Sequence, residues 1–242
     1  MEPVLLASAR VLTFNGSAPL TNASGFFFRR DRRLFLVTSR HVFLDEASGH
    51  RPNRIEIEVH VDAKNMGKSI NLSIPLFKGG RSVWRDGFDG GGAIDVAAIE
   101  IIEDALPDTS VLRAFRPAHI RAAEGDVAIG ATILIPGFPL GFHDTLHHMP
   151  VVRQAGVASS FGLRFQGLGY FLTDARTHRG LSGAPVVMRS PEKDPALGDL
   201  QWRLLGVHSS RLDIGTRDFQ LDEALGLNCA WYADILMTLT EG

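Results

Sequence analysis

An all-β fold in two lobes is predicted by three observations. Short apolar or alternating runs recur along most of the chain, Gly, Pro, Asn or Asp separates many of them, and a stretch without strand alternation divides the series in two. The first series runs over 4–14, 25–28, 34–38, 55–61 and 95–102. Residues 106–125 are richer in Pro, Ala, Arg and Glu and read as a connection between halves. The second series covers 131–135, 151–157, 168–173, 184–188 and 204–208, and 190–200, with two prolines and a glycine, reads as an exposed hairpin loop. Over 228–240, Trp231, Ile235 and Leu239 recur every four residues, predicting a closing helix that Asn228 caps. The expected division is a first lobe over 1–112, a linker over 113–127 and a second lobe over 128–242.

Composition narrows the function. The chain has 242 residues, 45% of them hydrophobic, which is enough for a full core in one body of two lobes. Lys plus Arg total 25 against 27 Asp plus Glu, a net charge of -2 that gathers neither nucleic acid nor anionic membrane. The first residues, MEPVLLASARVLTFNG, show no basic leader followed by a long apolar stretch, so no signal peptide is expected, and no run is long enough to span a bilayer. One cysteine, Cys229, forms no intrachain disulfide and fits a reducing compartment, so a cytoplasmic location is expected.

Three segments carry chemistry. In RGLSGAPVV, Ser182 lies between Gly180 and Gly183 and precedes an apolar strand. Such glycines let the amides of Gly180 and Ser182 converge on one developing oxyanion and let a substrate backbone approach. An ordinary tight turn would use the same residues. In LFLVTSRHVF, His41 follows a hydrophobic strand by two polar residues, a suitable post for a general base, although a lone histidine is more often structural. In GGGAIDVAAIEI, Asp95 sits between Ile94 and Val96 at the entrance to an apolar strand, where a carboxylate needs a partner. His41 supplies one: Asp95 would accept its Nδ1 proton and fix the tautomer that accepts from Ser182.

Taken together, TSRHV, DVAAIEI and GLSGAPVV resemble the three signature segments of the trypsin-like serine peptidase superfamily, in the same chain order. The resemblance covers about the whole chain, with SGFFFRR before the histidine strand and IPGFPLG where a second barrel would open. It implies two six-stranded antiparallel β-barrels of chymotrypsin type with a C-terminal α-helix, and a serine endopeptidase with His41, Asp95 and Ser182 as catalytic triad and Gly180 and Ser182 as oxyanion hole. Leu181 stands where secreted, zymogen-activated members carry an aspartate, so the chain is more similar to the bacterial and intracellular branch. Ala184 replaces a common glycine, a small change.

The resemblance also bears on specificity. Thr177 and His208 match positions at which glutamyl endopeptidases of this fold carry threonine and histidine, and Ser209 and Ser210 follow on the same wall of the S1 pocket. Both types donate to a carboxylate or carboxamide, implying cleavage after Glu or, less readily, Gln, with Arg176 and Arg179 adding positive charge. A buried strand histidine without substrate contact is the plain alternative for His208.

Other features point elsewhere. Gly90 to Gly92 lack the Gly-Lys-Ser/Thr of a phosphate loop. His143, His147 and His148 come without HExxH or a cysteine cluster, so no metal and no cofactor is expected. Cys229 reads as a small buried thiol at the start of the closing helix. The expected partner is a protein or peptide substrate, and the family resemblance leaves room for an activating or regulatory protein. A silent trypsin-like module that binds peptides in its cleft is the alternative to an active enzyme.

Overall fold

The computed structural model describes residues 1–120, 127–211 and 226–241. The apolar run at the N-terminus divides: Pro3–Ala7 forms a 3-10 turn, with proline in its first turn, and the strand begins only at Ser8. Seven strands make the first sheet: β1 (Ser8–Asn15), β2 (Ala18–Arg30), β3 (Arg33–Thr38), β4 (Arg54–His60), β5 (Ser69–Pro75), β6 (Trp84–Arg85) and β7 (Ala97–Ile101). Their order is β5-β4-β1-β2-β3-β7-β6, all antiparallel. The two edges meet where Val83 N donates to the carbonyl of Leu76, so the sheet curls into a barrel. The seventh strand is a two-residue stub beyond the six expected.

The second sheet has the expected six: β8 (Thr132–Gly137), β9 (Val151–Gly156), β10 (Tyr170–Thr173), β11 (Pro185–Arg189), β12 (Trp202–Arg211) and β13 (Asn228–Tyr232). They run in the order β9-β8-β11-β12-β13-β10, and a bridge from Val157 to Thr173 brings the edges together. The fold is therefore all-β and double-barrelled.

Side-chain alternation decides which strand faces what. In β4, Ile55, Ile57 and Val59 point into the first barrel while Arg54, Glu56 and Glu58 point away. Ile133, Ile135, Phe171, Val186 and Leu205 fill the second barrel. A third cluster joins them: Phe26, Phe28, Phe35 and Val37 pack with Leu172, Trp202, Val207 and Trp231. Each such side chain contributes about 1.5–3 kcal/mol on burial, so the seam on which the site lies is a core in its own right.

The closing helix is shorter than expected. Asn228–Tyr232 is strand β13, hydrogen-bonded to β10 on one side and β12 on the other, and the helix spans Ile235–Leu239. The four-residue recurrence of Trp231, Ile235 and Leu239 is met by a strand and a helix that face the same core. Asn228 caps nothing; its amide donates to the carbonyl of Ala175 at 2.6 Å, and Cys229 lies buried within the strand. No helix among the described residues is long and apolar enough to cross a membrane.

Candidate active site

Strand β3 is buried from Leu34 to its end at Thr38; Ser39 then turns the chain into the single helical turn Arg40–Phe43, which raises His41 at the seam, 35% exposed at its side chain. Asp95 precedes β7, held by buried Ile94 and Val96 on either side. Its carboxylate is fully engaged. Oδ1 accepts from the His41 backbone N–H at 2.9 Å, and Oδ2 accepts from His41 Nδ1 at 2.7 Å and from the Ser209 hydroxyl. With Nδ1 committed as donor, the lone pair of His41 lies on Nε2, on the far side of the ring.

Two opposing effects set the His41 titration. Burial disfavours the imidazolium, but the hydrogen bond and charge of Asp95, with the charge of Asp45, outweigh it and leave the pKa above the ordinary histidine value. His208 is the opposite case. Buried on β12 and repelled by the charge of His41, it is pushed down to about 4 and is neutral near pH 7.

The turn bearing Ser182 is pinned to the first barrel by backbone and side chain together. Ser24 N donates to the carbonyl of Ser182 at 3.0 Å, and Ser24 Oγ donates to the carbonyl of Gly180 at 2.7 Å while accepting from Phe138 N at 2.9 Å. Thr38 Oγ1 donates in turn to the carbonyl of Ser24 at 2.7 Å. On the other flank, Gly183 N donates to the carbonyl of His208 at 2.7 Å, and Ser39 Oγ reaches the same carbonyl at 3.2 Å. These contacts bring the Ser182 turn against the residues immediately before His41 and against the residue before Ser209.

Two glycines are required here. Gly180 has φ +95°, and a Cβ on it would sit 2.5 Å from the carbonyl oxygen of Phe138. Gly183 has φ +84°, and a Cβ would meet Thr38 Oγ1 at 2.1 Å. The peptide joining Arg179 to Gly180 is trans, and its carbonyl accepts from Leu140 N at 2.6 Å, which directs the Gly180 N–H to the opposite side. Neither the Gly180 amide nor the Ser182 amide nor Ser182 Oγ donates to any described residue.

Three of the four expected pocket residues, Thr177, His208 and Ser209, have buried side chains. Thr177 is buried and its hydroxyl donates to Asn228 Oδ1 at 2.5 Å. The Ser209 hydroxyl donates to Asp95 Oδ2 across the seam. His208 is buried with Nδ1 unpartnered among the described residues, and the Ser210 side chain lies outside them. Ser24, Leu140 and Asn228 escaped the sequence reading as site residues. The SGFFF motif holds Ser24 but carries no local sign of its bond to Gly180, while the roles of Leu140 and Asn228 depend on contacts distant in sequence.

Two antiparallel barrels with a His–Asp pair and a glycine-flanked serine at their seam define the architecture of the chymotrypsin-type serine peptidases. The profile of the trypsin-like peptidase domain matches residues 23–192, and the chain belongs to that family. Among solved structures, it is similar to the serine endoprotease from Yersinia pestis, with a TM-score of 0.55 and 16% identity over 98% of this chain and 62% of that one, a likeness of fold. The chain thus spans less than two thirds of that structure's length. No curated protein matches the sequence.

Proposed function

We propose that the protein is a serine endopeptidase that hydrolyses peptide bonds through an acyl-enzyme, with His41, Asp95 and Ser182 as its triad. Ser182 Oγ attacks the scissile carbonyl carbon while His41 Nε2 takes the hydroxyl proton, and Asp95 holds the resulting imidazolium. The oxyanion is received by the Gly180 and Ser182 amides. His41 then gives its proton to the leaving amine, and water, deprotonated by the same nitrogen, releases the acid and restores the Ser182 hydroxyl. The observation that carries this reading is the orientation of the Gly180 peptide: with the Arg179 carbonyl tied to Leu140 N, the two amides two residues apart are left to converge on one site. In apo enzymes the serine–histidine contact often tightens only when substrate arrives, so a serine without a partner is compatible with this role.

At P1 we place Glu first and Gln second, on the identities of Thr177 and His208. The Thr177 hydroxyl donates to Asn228 and His208 is held neutral, so neither supplies charge, and the positive charge that would receive a P1 carboxylate would come from Arg176 and Arg179, which are close in sequence. The lone, buried Cys229 suits a reducing compartment such as the cytoplasm. Incubation with a peptide library varied at P1, read by mass spectrometry for wild type and Ser182→Ala, tests both levels. Cleavage after Glu by wild type alone is expected. Cleavage only after Lys or aromatic residues would remove the P1 assignment, and equal cleavage by the variant would remove the nucleophile.

A further inference from the structure

We propose that Glu58, His143 and His148 form a binding site for a zinc-class divalent cation, which clamps the 138–149 loop of the second barrel to strand β4 of the first. One ligand atom from each of the three residues lies within 4.8 Å of the others, a spread that side-chain movement alone can contract around an ion. The set of two imidazoles and a carboxylate is the donor chemistry of zinc and its neighbours rather than of calcium or magnesium. The cavity they line holds about 320 Å³ and is shared with Arg10, Asn71 and Thr145, so an ion has room for water ligands as well.

His143 is already set up for ligation. His143 Nδ1 donates to the carbonyl of Gly141 at 2.6 Å, which leaves the lone pair on Nε2, the nitrogen facing Arg10 in the cavity. A backbone acceptor on the non-ligating nitrogen is the usual means of orienting a metal-binding imidazole. His148 is held at φ +55° in the hairpin closed by the reciprocal bonds between Asp144 and Met149, and its Nδ1 donates to Glu58 Oε1 at 2.7 Å, so a cation between them would take the place of that proton. That backbone region is uncommon for a residue with a side chain, and residues kept there cluster at functional sites. Glu58 is steadied by the Ser69 hydroxyl at 2.6 Å. His147, the third histidine of the loop, pairs instead with Asp144.

Arg10 opposes the ion. Its guanidinium donates to His143 Nε2 at 3.1 Å, occupying the ligand lone pair and adding a like charge, while Glu56 beside it is paired with Arg54. The cation therefore binds by displacing Arg10, and removing Arg10 should tighten binding, an outcome that a purely structural hydrogen-bond cluster does not produce.

The test uses the full chain carrying Ser182→Ala, so that it is independent of peptidase activity and succeeds or fails apart from the function proposed above. Titration calorimetry with zinc chloride alone should find one site with a Kd on the order of micromolar, and cobalt should give visible d–d absorption. His148→Ala and the near-isosteric Glu58→Gln should each weaken binding about tenfold or more, and Arg10→Met should strengthen it. Absence of binding up to about 1 mM zinc overturns the site, as does binding that is unchanged in Glu58→Gln, which keeps the side-chain shape if His148→Ala fails to fold.

Discussion

Ser24 Oγ donates to the carbonyl of Gly180 across 2.7 Å, tying a strand of the first barrel to the turn of the second that presents Ser182. The same hydroxyl accepts from Phe138 N, and Ser24 is fully buried. Ser24→Ala would strand a buried carbonyl and a buried amide, at a cost of about 1–3 kcal/mol in stability. Because the turn would then lose its alignment without losing its donors, kcat should fall about tenfold to a hundredfold, short of the 10²–10³ for deleting an oxyanion donor. Steady-state kinetics with a chemical denaturation curve checks both numbers.

Gly180→Ala and Gly183→Ala should fail differently. An added Cβ at Gly180 meets the Phe138 carbonyl oxygen and Asn22 Oδ1, both at the oxyanion turn, so a folded but severely slowed enzyme is expected. At Gly183 the Cβ collides with Thr38 and the Ser24 carbonyl on the seam itself, so the loss should appear in thermal stability before activity is measured.

Asp95→Asn should leave the fold intact and lower kcat by about 10⁴, because an amide presents the wrong partner to His41 Nδ1. Ser209→Ala removes one donor to Asp95 Oδ2 while both His41 contacts remain, so a much smaller loss is expected. Parallel kcat measurements on the two variants decide whether the order holds.

His41 acts as a base only when neutral. Its pKa lies above the ordinary histidine value of about 6.5 through Asp95 and Asp45, so kcat/KM should rise with pH through an apparent pKa above that value. As a group raised in the folded state, it contributes stability below its unfolded pKa that is lost as pH climbs through the folded one. His208, pushed down to about 4, has the reverse sign: its contribution is present above about 6.5 and lost as pH falls toward 4. That window is worth up to about 3 kcal/mol. Denaturation of wild type and His208→Gln from pH 7 to 4 should show the difference between them shrinking as the pH falls.

The parts legible in the sequence were those held by local pattern. Strand β4 announces itself by alternation, and TSRHV and GLSGAPVV carry both the resemblance and the turn geometry within a few residues. What was missed depends on contacts distant along the chain. The four-residue repeat after Asn228 predicts a capped helix, yet strands β10 and β12 claim the segment from both sides. That the Ser209 hydroxyl donates to Asp95 is not visible locally, because the two residues are far apart in the chain. The contact of His148 with Glu58 is likewise invisible locally, because the two residues come from different barrels.

The central claim is that Ser182 is an activated nucleophile with a formed oxyanion hole. A fluorophosphonate probe, which reacts with such a serine and then occupies the hole, tests it most directly when wild type and Ser182→Ala are compared by intact mass. The account predicts one adduct on wild type and none on the variant. A folded wild-type protein that takes up no probe, or an adduct that persists in Ser182→Ala, would contradict it.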